Sequence, residues 1–411
     1  MPRRPGPAIL WLIVCATALA ACSAPDAPGA AAASGAPVPA PSQWASDVPV
    51  VPEPADPTPT PTQSPSCIDQ LPLDVRIGQT MLVTTTDIPR VQRWLDEGLI
   101  AGLMSSGVLT PQSAGALERA TYGTRYGALL ATDEEGGSVQ RYREVVGYLP
   151  SAREQALTMT PKQVQSLFRG HGEGLSDWGV DMVFAPVVDV GSGPGIGSRS
   201  YSEDPAVVSQ YATAAARGYA EAGLIPVLKH FPGHGALGAD PHDGVAVGPP
   251  IEQLRERDLL PFAAIPDDVH VGIMVGHSTV PGYSDVPASQ SPAVIQGLLI
   301  DELGFGGLIV GDALGMAATG TEDQGEALVG FLVAGGDLGI IGPGGSIQGR
   351  RAVRRALAGG TLDEARLNDA AAAVLSAKGV DSCSVAGGED PIVDDRELPP
   401  DPAVTNPSED P

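Results

Sequence analysis

The stretch that decides the fold is Ile225–Gly235, which reads IPVLKHFPGHG. It opens with an apolar run that suits a buried strand, reaches Lys229-His230, and then turns at Pro232-Gly233. Polar side chains are thereby placed at a strand end and on a loop, where binding and catalytic groups tend to lie. The stretch therefore predicts a site at the end of a strand.

Seven further short apolar runs recur along the chain, and helix-like stretches such as Pro205–Ala222 and Pro292–Leu303 lie between most of them. The runs are Met81–Thr86, Ala101–Ser106, Ala128–Thr132, Met182–Val190, Val271–His277, Gly307–Gly311 and Leu338–Ile341. Apolar strands that alternate with helices indicate a parallel sheet buried on both faces. Eight such units fit a single closed (β/α)₈ barrel better than an open sheet. No Gly-x-Gly-x-x-Gly turn follows the first strand, so a dinucleotide-binding fold lacks its fingerprint.

Polar residues recur at the ends of five predicted strands. They are Asp133-Glu134-Glu135, Asp189, Lys229-His230, His277 and Asp312. Barrel active sites are built at the carboxyl ends of several strands, so this recurrence predicts a catalytic face. Each residue alone has a structural alternative. Asp189 suits a buried hydrogen-bonding role as well as a ligand contact, and a structural role is favoured for His277.

The two ends of the chain are predicted to lie outside the barrel. Residues 1–21 have the basic start, short apolar centre and small-residue end of a signal peptide. Cys22 directly follows Leu19-Ala20-Ala21, as in a bacterial lipobox. This pattern predicts lipidation of Cys22 and anchoring of the protein to the extracytoplasmic face of the cell membrane. An ordinary signal peptide with an incidental cysteine is the alternative.

A linker and a tail flank the predicted globular segment, residues 67–383. Residues 22–66 are rich in Pro, Ala, Ser and Thr and predict an extended, disordered tether, while residues 384–411 predict a disordered acidic tail. Cys67 and Cys383 stand at the two edges of the segment. An exported protein can form disulfides, so we expect these two to pair; free buried thiols are the alternative.

The formal net charge is −25. A surface of this sign argues against nucleic acid or an anionic membrane surface as a partner, so contact with the membrane is expected through the lipid anchor only.

Several motifs, taken in order, resemble glycoside hydrolase family 3, and specifically its single-domain β-N-acetylhexosaminidases. They are Asp133–Arg141, Phe184–Val190, Arg199–Tyr201 with Asp204-Pro205, Lys229–Gly235, Asp240-Pro241-His242, Asp258–Phe262 and Gly311–Met316. The resemblance covers the segment from about residue 70 to about residue 380, and it depends on the motifs occurring together.

The resemblance implies the reacting groups. Asp312 matches the nucleophile of a retaining mechanism, in which a carboxylate attacks the anomeric carbon and forms a covalent glycosyl-enzyme. The alternative for Asp312 is the N-cap of a following helix. His242 matches the acid/base, paired with Asp240, and its unperturbed pKa near 6.5 suits proton transfer near neutrality. The alternative for that pair is a loop salt bridge.

The resemblance also implies the residues that bind the sugar. They are Asp133, Arg141, Arg199, Lys229 and His230. A carboxylate accepts hydrogen bonds from sugar hydroxyls, and Arg or Lys donates to hydroxyls or to an acetamido oxygen. Without the resemblance, each basic residue would be interpreted as a member of an ion pair.

Two residues depart from the family's usual pattern. Pro241 stands where a small serine is more frequent, and proline restricts both its own backbone and that of Asp240. Ser138 stands where arginine is frequent, so a binding subsite loses a charge. Neither departure removes a reacting group.

The sequence therefore predicts an exported, lipid-anchored, monomeric exo-β-N-acetylglucosaminidase acting on terminal N-acetylglucosamine of peptidoglycan fragments, with no metal or organic cofactor. Within the enzyme class, a β-glucosidase or a glycoside phosphorylase on the same scaffold is the alternative. Outside it, the alternative is a non-catalytic lipoprotein that binds wall fragments.

Overall fold

A computed structural model describes residues 66–85, 87–238, 246–266 and 268–386. The predicted signal peptide, the lipidation site Cys22, the tether up to residue 65 and the tail from residue 387 lie outside these residues. So does the predicted acid/base pair, Asp240 and His242.

Eight parallel strands close into a barrel, which confirms the predicted fold class. In chain order the strands of the structure are β1 (Met81–Thr84), β2 (Gly102–Met104), β3 (Leu129–Thr132), β4 (Glu134–Gly136), β5 (Val139–Gln140), β6 (Met182–Val183), β7 (Ile225–Phe231), β8 (Gly272–Val275), β9 (Ile309–Gly311) and β10 (Leu338–Ile341). Around the barrel, neighbours run β1-β2-β3-β6-β7-β8-β9-β10, and β10 pairs with β1. Strands β4 and β5 form a separate antiparallel hairpin directly after β3.

Helices surround the strands. The α-helices are α1 (Leu73–Gly78), α2 (Ile88–Asp96), α3 (Pro111–Thr121), α4 (Arg143–Val146), α5 (Ala152–Thr158), α6 (Pro161–Ser176), α7 (Pro205–Glu221), α8 (Ile251–Gln253), α9 (Leu260–Ala263), α10 (Gln324–Ala334), α11 (Pro343–Ala358), α12 (Glu364–Ala377) and α13 (Ser382–Val385). Leu254–Asp258 and Ala293–Glu302 are π-helical, and short 3₁₀ turns are formed by Cys67–Gln70, Gly197–Arg199, Ala288–Gln290 and Ala317–Thr319. Within the described residues, no helix is long and apolar enough to cross a membrane.

Helix α7 shows how local sequence sets these boundaries. Asp204 caps its start by accepting a hydrogen bond from Ala206 N at 2.8 Å, and Pro205 occupies the first turn, where its missing N–H costs nothing. Gly223, with φ of +83°, lets the chain leave the helix in a left-handed conformation. The predicted helix Pro205–Ala222 therefore matches the structure to within one residue.

The core has two layers because side chains alternate along each strand. Leu82 of β1 packs inside the barrel with Met274 and Val310, whereas its neighbour Val83 packs outward in the layer between strands and helices. Residues on both faces of the strands are therefore apolar, as the continuous runs in the sequence predicted.

The fourth barrel strand is shorter than the predicted run Met182–Val190. Regular pairing stops after Val183, and the chain continues irregularly through Ala185-Pro186, with one further bridge from Val187 to Lys229. Proline has no N–H for the ladder, which ends regular pairing here. The result carries Asp189 well beyond the strand end.

A disulfide joins Cys67 in the first 3₁₀ turn to Cys383 in α13, with an S–S distance of 1.97 Å. The two cysteines are 316 positions apart in the sequence. The entry to the barrel segment is therefore covalently linked to its exit.

Candidate active site

Acidic and basic side chains from separate elements meet at the carboxyl end of the barrel. Asp133 and Glu135 come from the β4–β5 hairpin, and Lys229 comes from the end of β7. Lys229 Nζ lies 2.6 Å from Asp133 Oδ1 and 2.7 Å from Glu135 Oε1. One ammonium group thus binds the carboxylates of Asp133 and Glu135 together.

Glu135 also binds Arg199 through two parallel hydrogen bonds. Arg199 Nε donates to Oε2 at 2.7 Å and Nη2 donates to Oε1 at 2.8 Å. Burial by itself raises the pKa of the Glu135 carboxyl, but the charges of Arg199 and Lys229 outweigh burial and hold that pKa well below its usual range. Glu135 is therefore ionised and holds both Lys229 and Arg199 in place. The orientation of their other N–H groups is fixed as a result.

The same interactions act in reverse on the two cations. Burial by itself lowers the pKa of Lys229, but the charges of Asp133 and Glu135 raise that pKa above its usual value. Burial likewise lowers the pKa of Arg199, and here the charge of Glu135 is the main cause that raises it above its usual value. Both side chains stay positively charged at neutral pH. Arg141, at the far end of the hairpin, adds a third cation, with Nη2 3.7 Å from Asp133 Oδ2.

Asp189 lies behind this cluster and holds His230. It is buried, and its Oδ2 accepts a hydrogen bond from His230 Nδ1 at 2.7 Å while its Oδ1 accepts one from the His234 backbone N at 2.6 Å. The other ring nitrogen of His230, Nε2, lies 3.5 Å from Arg199 Nη2. Of the two roles open to Asp189 from the sequence, the structure places it in the buried hydrogen-bonding one.

His234 packs edge-on against His230, with ring centroids 4.9 Å apart. Burial first, and then the charges of His230 and Arg199, lower the pKa of His234 to about 4. His234 is therefore a neutral imidazole beside the charged cluster at physiological pH.

Asp312 directly follows β9. Its Oδ1 accepts a hydrogen bond from Ala313 N at 2.8 Å. Burial raises its pKa, but His230, His277, the Ala313 bond and Lys229 lower it to a final value of about 2. The residues directly after Asp312 form a turn that leads to the 3₁₀ turn Ala317–Thr319, and the next α-helix, α10, begins only at Gln324, so the helix N-cap alternative is wrong.

His277 supports the segment that follows Asp312. Its Nδ1 lies 2.7 Å from Ser289 Oγ and its Nε2 donates to the Ala313 carbonyl at 3.1 Å. The ring is buried. The structural role favoured for His277 from the sequence agrees with these contacts.

The structure thus brings the five predicted sugar-binding residues into one cluster, with Asp312 close enough for Lys229 and His230 to affect its pKa. Sequence reasoning placed Glu135 among the polar residues at the strand ends but gave it no role in binding or catalysis. The signal was present, because residues 133 and 135 of an extended segment face the same side. Ser138 is exposed in the hairpin turn.

The chain was compared with known protein families, sequences and structures. A family model described as the glycosyl hydrolase family 3 N terminal domain matches residues 72–377. β-Hexosaminidase LpqI of Mycobacterium tuberculosis is 39% identical over 256 residues, which are 59% of this chain and 66% of LpqI. A β-hexosaminidase of Stenotrophomonas maltophilia is 41% identical over 199 residues, 46% of this chain and 59% of that protein. The matches therefore span less than two thirds of these relatives' lengths.

Solved structures match the barrel more completely. A glycosyl hydrolase of family 3 from Mycobacterium smegmatis has a TM-score of 0.72 and 34% identity, covering 76% of this chain and 99% of that one. A family 3 β-N-acetylglucosaminidase from a Paenibacillus species has a TM-score of 0.71 and 26% identity, covering 79% of this chain and 65% of that one.

Proposed function

The chain belongs to glycosyl hydrolase family 3, and on that premise we propose that it is a retaining exo-β-N-acetylglucosaminidase. Its proposed substrates are peptidoglycan-derived fragments that carry N-acetylglucosamine at the non-reducing end. The names of the relatives, β-hexosaminidase and β-N-acetylglucosaminidase, support the sugar specificity. The observation that carries the proposal is the ionised Asp312 carboxylate beside a fixed cluster of sugar-binding groups.

Asp312 is the proposed nucleophile. A carboxylate whose pKa is about 2 is ionised throughout the physiological range, so it is ready to attack the anomeric carbon. Attack forms a bond from the carboxylate oxygen to that carbon and breaks the bond to the leaving oxygen. Water then displaces the carboxylate, releases the sugar and restores the starting configuration.

His242 is the proposed acid/base, with Asp240 as its partner. His242 gives a proton to the leaving oxygen in the first step and takes one from water in the second. This assignment depends on the motif, since both residues lie outside the described chain. The segment that follows them supports it. Gly248 N donates a hydrogen bond to the carbonyl of Thr279 at 2.9 Å, and Thr279 is two positions after His277 in the sequence. The chain that follows His242 therefore lies next to the strand end that carries His277.

The cluster of Asp133, Arg141, Arg199, Lys229 and His230 is proposed to bind the sugar. Glu135 holds Lys229 and Arg199 in place before substrate arrives, which reduces the ordering needed on binding. Sugar hydroxyls and the acetamido oxygen would then meet donors and acceptors that are already oriented.

The test is release of 4-nitrophenol from 4-nitrophenyl N-acetyl-β-D-glucosaminide and from the matching β-glucoside, with and without phosphate. Turnover of the N-acetyl substrate alone, independent of phosphate, is expected. Preference for the glucoside would overturn the sugar specificity, and a rate that requires phosphate would make the enzyme a phosphorylase. Binding of wall fragments without any turnover would favour the non-catalytic lipoprotein.

The proposed setting is the outer face of the cell membrane. Residues 1–21 are proposed to be removed as a signal peptide, Cys22 to carry the lipid, and residues 22–66 to tether the monomeric barrel segment, 67–383, followed by the tail 384–411. Cys22→Ala should move the protein from the membrane fraction to the soluble one. Membrane association unchanged by Cys22→Ala would contradict the anchor, and light scattering tests the monomer.

A further inference from the structure

The β4–β5 hairpin and its flanks carry two of the proposed sugar-binding residues, Asp133 and Arg141, together with Glu135, which fixes Lys229 and Arg199. Glu134 is the hairpin residue that points the other way. Asp133 and Glu135 both reach Lys229, so the residue between them faces away from the site. On that side, Glu134 is fully buried. Its side chain therefore belongs to the rear of the hairpin.

Glu134 forms a buried hydrogen-bond network behind the hairpin. One carboxylate oxygen, Oε2, accepts from His171 Nε2 of α6 at 3.0 Å, and the other, Oε1, accepts from the backbone N of Tyr142. The main-chain carbonyl of Glu134 accepts from Tyr219 Oη of α7 at 2.8 Å. One residue thus links the hairpin to two helices of the outer layer.

The hairpin needs this support because its own pairing is slight. Strand β5 has two residues, and the register shifts between Glu134 and Gly136. An isolated two-stranded hairpin is marginal in water. Its position relative to Lys229 and Arg199 is therefore set by contacts outside its ladder, and the side chains of Glu134 and His171 lie 0% and 4% exposed at that contact.

We propose that Glu134 and His171 are positioning residues that hold the sugar-binding hairpin in register with Lys229 and Arg199. The inference rests on the proposed function, because its kinetic test measures KM for the proposed substrate. Glu134 touches no substrate in this arrangement; it acts through Asp133, Glu135 and Arg141, which the same hairpin carries.

The experiment compares Glu134→Ala with Glu134→Gln and with a matched control, Asp337→Ala. The amide oxygen of Gln can accept from Tyr142 N, and its NH2 group can donate to His171 Nε2 once the ring carries its proton on Nδ1, so Gln can keep both hydrogen bonds, whereas Ala keeps neither. Asp337 is also a buried, hydrogen-bonded carboxylate, but it pairs with Arg366 at the other end of the barrel.

Loss of positioning weakens binding of substrate and transition state together, which raises KM more than it lowers kcat. We expect Glu134→Ala to raise KM for the aryl N-acetylglucosaminide by about 10- to 100-fold. Glu134→Gln should stay within about threefold of the unaltered protein. Asp337→Ala should lower Tm and leave KM unchanged. Equal KM changes in Glu134→Ala and Asp337→Ala would overturn the inference, because both would then reflect general loss of stability.

Hydrogen exchange of residues 134–142 separates this inference from the proposed function. Faster exchange confined to the hairpin in Glu134→Ala is expected whatever the substrate, and unchanged exchange there would overturn the positioning role. If Glu134→Ala does not fold, His171→Ala removes the same hydrogen bond from the helix side, and His171→Gln, whose amide can still donate to Glu134, is its control. Failure of the unaltered protein to turn over the substrate would instead count against the proposed function.

Discussion

The two ends of the barrel use buried carboxylates for opposite purposes. At the amino end, Asp337 lies before β10 and accepts from Ile309 N at 3.0 Å, and Asp181 lies before β6 and accepts from Leu130 N at 2.8 Å. At the carboxyl end, Asp133 and Glu135 bind a side-chain cation, Lys229. Amino-end carboxylates thus join neighbouring strands, while carboxyl-end carboxylates hold a side-chain cation in place.

The pKa directions follow the same division. Burial raises the pKa of Asp181 and Asp337 above the usual value, and one lysine or arginine nearby does not compensate. Burial also acts on Glu135 and Asp312, but cations outweigh it, so their pKa values fall. The carboxyl end therefore holds enough positive charge to keep Glu135 and Asp312 ionised, as the proposed sugar binding and nucleophilic attack require.

The largest effect that would test this division is loss of the proposed nucleophile. Asp312→Ala should lower kcat by at least about 10⁴-fold, since it removes the carboxylate that is proposed to form the covalent intermediate. The measurement is kcat on the aryl N-acetylglucosaminide, with circular dichroism to check the fold. If kcat of Asp312→Ala stayed within tenfold of that of the unaltered protein, the nucleophile would have to be another residue.

The next largest effect is expected at Glu135. Glu135→Gln removes the charge shared by Lys229 and Arg199, so kcat/KM should fall about 100-fold as the two cations lose their fixed positions. Breaking a buried pair should also cost about 3–5 kcal/mol in the free energy of unfolding. Full activity in a destabilised variant would mean that Glu135 serves structure alone, as the amino-end carboxylates do.

A smaller effect is expected at the amino end. Asp337→Asn should lower the free energy of unfolding by about 1–3 kcal/mol, because the charged partner of Arg366 is lost. Kinetic constants should not change, since the site is at the opposite end. Urea unfolding and steady-state kinetics on the same sample measure both; a raised KM would contradict the separation of the two ends.

The smallest effect concerns pH. Burial lowers the pKa of Lys378 to about 7, with Asp181 opposing it. The unfolded chain therefore binds an extra proton between about pH 7 and 10.5, so the free energy of unfolding rises with pH across that window. Lys378→Met should flatten the rise, and Lys162→Met, at an exposed lysine, should preserve it. Identical pH profiles for the two variants would contradict the assignment.

The sequence was sufficient for the barrel because its strands are continuous apolar runs, and this pattern predicts strands without knowledge of their neighbours. It was less informative about Asp189, because the strand before it ends at Val183 and the hydrogen bonds to His230 and His234 depend on an irregular segment. The contact from Glu134 to His171 joins residues 37 positions apart across two layers, so no local pattern could indicate it.

The disulfide between Cys67 and Cys383 has a mechanical consequence. Chain segments continue beyond both cysteines, so tension applied through those segments passes across one sulfur–sulfur bond. The strands and helices between the two cysteines would not carry that tension, because the disulfide carries it. A force applied between residues 22–66 and residues 384–411 would therefore leave the carboxyl end of the barrel unstretched.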